Sequence, residues 1–498
     1  MFQAFEWYCP GDHKHWMRLE KAVSSLAALG VTSMWIPPAT KAAWEKSNGY
    51  DVYDLYDLGE FNQKGAQHTK WGTKKELVQL ADVANTHGVD VIFDAVLNHK
   101  AGADYTESVK ASKVDPTDRM TPLSKPDTIE AWTGFEFKGR GNTYSTMKWN
   151  KNHFTGSDYC HKTKTKAVFK FEGKEWANDV DEELGNYDYL MFADIDHSNP
   201  EVRQDLARWV RWLPSQLKLG GLRLDAIKHY SADFLRSFIA YADKVVGRDW
   251  FFVGEYWRED SEVLARYIEY MHHRISLFDV RLVSNFSRVS MQDGADLRTV
   301  FEGALVTYKP LNAVTFVANH DTQEGQSLET LVAPFFVPIA YALILLRANA
   351  GLPCVFYGDL YGSPGPRPQR SDRGSFAPPT SLVLPRLMLA RRLYAYGTQV
   401  DFFDRPDCIG FTRLGHPSQS KGAGLAVLAT NKWEYATKRM HVGRGHAGET
   451  WTDLLRGCWG EVVIDAEGWG VFAVGPRGVS VWADREAEGR ALLDNMVL

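Results

Sequence analysis

Gly221-Leu222-Arg223-Leu224-Asp225-Ala226-Ile227-Lys228-His229 reads as a short buried strand that stops just as charged side chains appear. Alternation along a strand places Arg223 and Asp225, two residues apart, on one face. A guanidinium held beside a carboxylate favours its ionised form at neutral pH, the state a nucleophile needs. Taken alone, the pair fits a structural ion pair as well as a catalytic one. Three further apolar runs end in the same way. They are Val89 to Asp94, running on to Asn98 and His99; Phe251 to Glu255, followed by Tyr256 and Trp257; and Ala313 to Asn319, followed by His320 and Asp321. In a parallel α/β barrel the chemistry gathers at the C-terminal ends of the strands. Four strands carrying acids at that end point to one shared site.

The flanking chain supports a barrel. Trp16 to Leu29 has helical apolar spacing and closes at Gly30, and Val31 to Pro38 then reads as a strand ended by proline. A second helix spans about Lys74 to His87, closes at Gly88 and leads into the strand ending at Asp94. The rhythm breaks from Ala101 to Asn199, a stretch rich in Gly, Asn, Thr, Lys and aromatic residues. About a hundred residues are too many for one loop, so an inserted β-rich domain is expected there. The rhythm resumes with the helix from Asn199 through Leu217. Strands follow at Arg223, Glu255, Ile275 to Val280, Asp321 and Pro353 to Gly358. With a first strand at Phe2 to Trp7, the count is eight. Beyond Ala395 short alternating strands take over, and Trp469 to Phe472 and Val479 to Trp482 read as facing strands of a small sandwich. The expected plan is a (β/α)8 TIM barrel at 1–98 and 200–392, a β-rich insertion after strand 3 at 99–199 and a Greek-key β-sandwich at 393–498. The Gly/Pro-rich stretch Gly362 to Pro379 is expected to be a mobile loop near the cleft.

A chain of 498 residues exceeds one core, and its 44% hydrophobic and 24% charged content is that of a soluble globular protein. The formal net charge of −5 comes without long like-charge runs, which argues against nucleic acid or an anionic membrane as partner. The apolar run Ala333 to Leu346, which contains Pro334 and Pro338, is too short to span a bilayer and reads as a buried barrel helix. Cys9, Cys160, Cys354, Cys408 and Cys458 are odd in number and lack metal-ligand spacing, so free thiols are expected. With no charged-then-apolar leader at the N-terminus, a cytoplasmic location is expected, although a mature secreted form would begin the same way.

The four strand-end segments resemble, in order, the signature regions of the α-amylase family of glycoside hydrolases (family 13). The flanking chain, from Phe2-Gln-Ala-Phe-Glu-Trp-Tyr8 to Gly448-Glu-Thr-Trp451, is similar to liquefying bacterial-type members nearly end to end. The resemblance implies hydrolysis of internal α-1,4-glucosidic bonds of starch, glycogen or maltodextrins with retention. Such chemistry needs two carboxyl groups roughly 5–5.5 Å apart around an oxocarbenium-like transition state. By this likeness Asp225 is the nucleophile, Glu255 the acid/base and Asp321 the group that binds the distorted sugar. Burial beside Phe252, Val253 and Trp257 is expected to raise the Glu255 pKa. His99 and His320 match histidines that bond the sugar at the cleavage point, and Arg223 the arginine beside the nucleophile. Lys228 and His229 match leaving-group contacts, Tyr50 a stacking ring and Trp257 a further platform; Trp7 fits packing at least as well.

The family's structural calcium, held by hard oxygen ligands, would be bound by Asn98, Asp188, Asp194 and the His229 backbone carbonyl. One Ca²⁺ is expected. Where relatives carry extra acidic ligands for a second calcium and a sodium, this chain has Thr155, Ala177 and Ser198. The expected partner is an α-glucan, and the expected state a monomer. Two rivals remain: a transglycosylase or maltooligosaccharide-forming enzyme with the same machinery, and a non-catalytic glucan-binding protein. The second should have lost one of Asp225, Glu255 or Asp321, and this chain keeps all three. Trp433, Trp451, Trp459 and Trp482 are read as core.

Overall fold

The computed structural model describes residues 1–247, 250–365, 381–416, 418–419 and 421–496. Eight parallel strands close into a barrel: β1 (Phe2–Gln3), β2 (Ser33–Trp35), β3 (Asp90–Ala95), β4 (Gly221–Leu224), β5 (Phe251–Gly254), β6 (Ser276–Phe278), β7 (Ala313–Phe316) and β8 (Leu352–Phe356). Each strand pairs with its neighbours in sequence, and β8 returns to β1 through Val355 opposite Phe2. The first strand is shorter than the sequence implies, because only Phe2 and Gln3 pair on both sides before the chain turns toward the barrel mouth. A Cβ on Gly221 would lie 1.9 Å from the Phe251 carbonyl oxygen, so glycine is what lets β4 approach β5 this closely.

The helices sit where their termini permit. Lys74–Thr86 starts in a capping box in which Thr73 and Glu76 satisfy each other's backbone donors. Pro200–Gln216 starts from an Asn199 cap with proline at its first position. Ala232–Val246 ends at Gly247, whose φ of 81° is the left-handed conformation glycine adopts without cost. The helix Val337–Leu346 is buried on every side, so it carries no polar stripe; the residues from Ala333 to Phe336 form a turn before it.

The stretch between β3 and β4 builds a six-stranded sheet in the order His99–Lys100, Ala193–Ile195, Phe154–Cys160, Thr165–Phe171, Tyr105–Lys113 and Asp127–Gly134. Its first two strands leave and re-enter the barrel, with Asp194 paired to His99. After the barrel, a second six-stranded sheet places Gly478–Asp484 between Leu425–Thr430 and Thr450–Asp453. The pair Ala436–His441 and Trp469–Val474 packs over it, enclosing Met440, Trp451, Phe472 and Trp482. Trp451 and Trp482 are therefore core, as expected. Trp433 and Trp459 are not: they stand on loops, 70% and 95% exposed, beyond the reach of either sheet. All five cysteines are free, and four of them are buried. Among the described residues no helix is long and apolar enough to cross a membrane. Of the stretch Gly362 to Pro379, residues from 366 onward lie outside the described residues.

Candidate active site

The C-terminal ends of the barrel strands converge on Arg223. Its guanidinium is 1% exposed and serves three carboxylates at once. Nη1 donates to Asp94 Oδ1 at 2.8 Å and to Asp225 Oδ1 at 2.6 Å, while Nη2 lies 2.9 Å from Glu255 Oε2. Strand register explains this: Arg223 stands opposite Asp94 on β3 and Val253 on β5, so acids near both neighbouring strand ends fall within reach. Just past Asp225 the backbone of Ala226 turns left-handed, at φ 52°, which a non-glycine residue pays for. The turn aims the Ala226 N–H at Glu255 Oε2, 3.0 Å away. Asp225 and Glu255 are close enough to share a hydrogen bond.

Three carboxyl groups share this one cation and Asp321 stands near it, so they do not all ionise together. Burial pushes Asp225 up to about 6, with Arg223 pulling it down and Asp94 pushing further up. Burial also raises Glu255, opposed by Arg223 and reinforced by Asp225. Asp321 is raised well above the usual carboxylate range, through burial and then the neighbouring Glu255. Asp225 thus keeps its charge at neutral pH, although burial brings it nearer to titration than the arginine alone implies. An ionised acid beside a carboxyl group whose proton is held more tightly than usual is the division of labour that general acid chemistry requires.

The histidines are neutral donors. Burial, and then Arg223, lower the His320 pKa well below its usual value. Gln3 Nε2 donates to His320 Nδ1 at 3.1 Å, which leaves Nε2–H facing Asp321 Oδ2 at 3.3 Å. His99 lines the cleft, but both of its nitrogens are engaged: Nε2 donates to the Tyr50 carbonyl at 2.7 Å, and Nδ1 lies 3.3 Å from Asn98 Nδ2. Tyr50 donates to Asp94 Oδ2 at 2.9 Å and lies parallel to His320, with centroids 5.0 Å apart and planes within 7°. Trp7 stacks parallel to both rings, so packing among aromatic neighbours accounts for it while it also lines the cleft. Lys228 is bound to Glu183 at 2.6 Å and to the Trp257 carbonyl at 2.9 Å; His229 Nδ1 bonds the Tyr187 carbonyl at 2.8 Å. All of these, with Trp257, line one open cleft of about 1290 Å³.

The structure also gives a part to residues to which the motifs assigned no role. Asp94, fully buried, ties Trp35, Tyr50 and Arg223 together. Glu6 Oε2 accepts from Tyr8 N–H, Gln323 Nε2 and Ser363 Oγ at 2.8, 3.1 and 3.0 Å, while Gln323 Oε1 accepts from Trp7 N–H at 3.0 Å. This carboxylate joins the loops after β1, β7 and β8. Its only sequence signal was an acid in the largely apolar Phe2 to Trp7 run.

The expected calcium ligands come together at the root of the insertion. Asp194 pairs with His99, the residue after Asn98, and burial and then Asp188 push its carboxyl well above the usual range. Asp188 is raised to about 8 by burial, with Asp196 and Asp179 adding to it. Asn98 Oδ1 is buried with no hydrogen-bond partner. Among the described residues no three His, Cys, Asp or Glu side chains form a metal cluster; this set instead combines two carboxylates with an amide oxygen and a backbone carbonyl. Two buried carboxylates beside an orphaned carbonyl oxygen are a hard, anionic donor set, and calcium fits it. Nearby, Lys174 Nζ sits 2.6 Å from Asp196 Oδ2 and holds that carboxyl below its usual range despite burial.

Comparison with known proteins agrees with this geometry. The alpha amylase catalytic domain family matches residues 20–377, and the alpha-amylase C-terminal domain family matches residues 430–483. The chain is 45% identical to an α-amylase of Bacillus licheniformis over 486 residues, covering 97% of this chain and 93% of that one. It is 38% identical to the cytoplasmic α-amylase of Escherichia coli (strain K12), covering 98% and 99%. Among solved structures, an Anoxybacillus α-amylase superposes with a TM-score of 0.62 at 16% identity, over 94% of this chain and 90% of that one.

Proposed function

Because the chain belongs to the α-amylase family, we propose that it is an endo-acting α-amylase that hydrolyses internal α-1,4-glucosidic bonds with retention, using Asp225, Glu255 and Asp321. The observation that carries this reading is the single guanidinium of Arg223 clasping Asp225 at 2.6 Å and Glu255 at 2.9 Å. Two carboxyl groups held by one guanidinium support the retaining arrangement, in which the pair stands roughly 5–5.5 Å apart, over an inverting pair roughly 6.5–9.5 Å apart.

In the first step protonated Glu255 gives its proton to the glycosidic oxygen, while ionised Asp225 forms a bond to the anomeric carbon as the bond to the leaving sugar breaks. Glu255, now a carboxylate, then takes a proton from water, which displaces Asp225 and restores both groups. Asp321, with His320 Nε2–H beside it, bonds hydroxyls of the distorted ring. The parallel Tyr50 offers an apolar face for the sugar. Tyr8, Trp44, Tyr187 and Met191 line the same open cleft as Asp225, which is roomy enough for several glucose units of a chain. That supports endo action. Asn98, Asp188, Asp194 and the His229 carbonyl would hold one calcium, which would supply charge compensation where the insertion joins the barrel. The likeness to a relative named for the cytoplasm, with free and mostly buried cysteines, supports an intracellular role on glycogen or imported dextrins.

Product analysis on soluble starch and on one defined maltooligosaccharide, wild type beside Asp225→Asn, tests the proposal. Rapid viscosity loss, short α-anomeric products and near-complete loss in the variant are expected. β-Anomeric products would refute retention. Products longer than the starting oligosaccharide would move the assignment to a transglycosylase.

A further inference from the structure

A second cavity, of about 700 Å³, opens at the end of the barrel opposite the cleft and shares no lining residue with it. The helix His15–Ala28 ends there, at Leu29 and Gly30, just before β2. The helix Leu384–Tyr394 brings Arg391 and Arg392 to the wall in its last turn. Arg347 follows the helix Val337–Leu346, and Arg413 closes the strand Cys408–Arg413 of the C-terminal domain. Barrel and C-terminal domain therefore meet around this cavity.

Its charge is one-sided. Among the described residues no Asp or Glu lines it. Arg347 is answered by Asp401, whose two oxygens accept from Nη1 and Nη2 at 2.8 and 3.0 Å. Among the described residues the other three arginines bond only backbone carbonyl groups. Arg391 Nη1 donates to Leu345 and Arg392 Nη1 to Ala28. Arg413 donates from Nη1 to Leu346 at 3.1 Å, and from Nε and Nη2 to Gly397 at 3.1 and 3.0 Å. A carbonyl oxygen fixes where a guanidinium lies but leaves its charge in place. Desolvation, and then the like charges of Arg391 and Arg347, lower the Arg413 pKa from its ordinary value. Freely solvated arginines would spread apart to relieve such repulsion; these are pinned, so the cations are in place before anything enters. Arg391 and Arg392 are exposed, and most of their N–H donors stay open.

These features select a ligand class. The planar fork of a guanidinium matches the oxygens of a phosphate or carboxylate. A phosphate monoester carries nearly two negative charges on three oxygens at neutral pH, so three cations without counterions suit it better than a single carboxylate. The volume is that of a small-molecule site. We propose that this cavity binds a small phosphorylated metabolite, with Arg391, Arg392 and Arg413 holding its phosphate groups. Bound there, the ligand touches both the barrel and the C-terminal domain, and it stabilises the folded enzyme by binding the native state alone.

Isothermal titration of the full-length, calcium-loaded enzyme with fructose 1,6-bisphosphate, and separately with inorganic phosphate, tests this at an ionic strength held constant with NaCl. Wild type is compared with Arg391→Gln/Arg392→Gln and with Arg391→Lys/Arg392→Lys. The wild type should bind one bisphosphate per chain, and the glutamine variant should bind it about a hundredfold more weakly, the usual worth of two charge-assisted hydrogen bonds. Lysine keeps the charge without the fork, so the lysine variant should fold as the wild type does and bind about tenfold more weakly. Thermal unfolding gives a second readout: bisphosphate should raise the wild-type midpoint, and raise it less in either variant. A wild type that shows neither heat nor a midpoint shift with either probe would overturn the proposal. Equal binding by wild type and both variants would also overturn it, by placing the anion elsewhere. Inorganic phosphate bound more tightly than the bisphosphate would overturn the organic ligand. Rates on soluble starch should be equal in all three proteins, because the changed residues lie at the far end of the barrel from Asp225.

Discussion

Replacing Asp225 with Asn should abolish activity and yet stabilise the fold, by an amount that depends on pH. Asn approximates the neutral acid in shape and still accepts a hydrogen bond from Arg223. In the unfolded chain Asp titrates near 3.8, whereas in the folded protein burial against Asp94 lifts Asp225 to about 6 despite Arg223. Between those values the folded protein holds a proton that the unfolded chain has already released. Raising the pH through this window therefore removes stability, and above it the loss is complete. The difference between the two values corresponds to about 3 kcal/mol at pH 7.5 or so, and about half of that near pH 5. Equilibrium urea unfolding of wild type and Asp225→Asn, at about these two pH values with calcium present throughout, measures it. The variant should be the more stable protein, with the larger gain at the higher pH. A gain that does not change with pH, or a variant less stable than wild type near neutrality, would refute the argument that ionising Asp225 costs the fold. The expected sign is that of a site whose function is held at the expense of stability.

Arg223→Met leaves Asp94, Asp225 and Glu255 without their shared cation; a loss of about 3–5 kcal/mol is expected, and a loss below about 1 kcal/mol in thermal unfolding would contradict the central ion cluster. Glu255→Gln should lower kcat by about 10²–10⁴ and erase the alkaline limb of the pH–rate profile, because the wild-type acid must hold its proton above the usual carboxylate range. An alkaline limb that survives the substitution would assign the proton to another group. Metal analysis after dialysis should find one calcium per chain, and chelation should lower the melting temperature less in Asp194→Asn than in wild type; two or more tightly held ions would contradict the replacement of acidic ligands by Thr155, Ala177 and Ser198. Glu6→Leu strands three donors from different loops and should cost about 1–3 kcal/mol for each donor that stays buried. It should also raise KM more than it lowers kcat, since Glu6 orders the cleft walls without touching the reacting atoms.

Much of the site was legible because its chemistry sits on local patterns. An apolar run ending in a charged residue marks a barrel strand and its catalytic end together, so Asp225, Glu255 and Asp321 could be read from three separate runs. The spacing of Arg223 and Asp225 placed them on one face, where they meet at 2.6 Å. What failed was of another kind. Trp433 and Trp459 were read as core because large aromatic residues in a β-rich segment usually are; whether a ring faces the sandwich or water depends on which loop carries it. Glu6 drew no functional reading, and Asp94 was read only as one more strand-end acid, because each acts on partners far away in sequence.

The sequence by itself determined the order of strands and helices, the insertion after the third strand and the acids that end the strands. Periodicity, caps and breakers act within a few residues, and the chain writes them down directly. Only the tertiary structure decided which charges share a counterion. Closing the barrel sets Asp94, Asp225 and Glu255 around one buried guanidinium and brings Asp321 within the electrostatic reach of Glu255. The protonation of each acid then follows from burial and from neighbours more than a strand away. Those are distances through space, and no local pattern in a chain contains them.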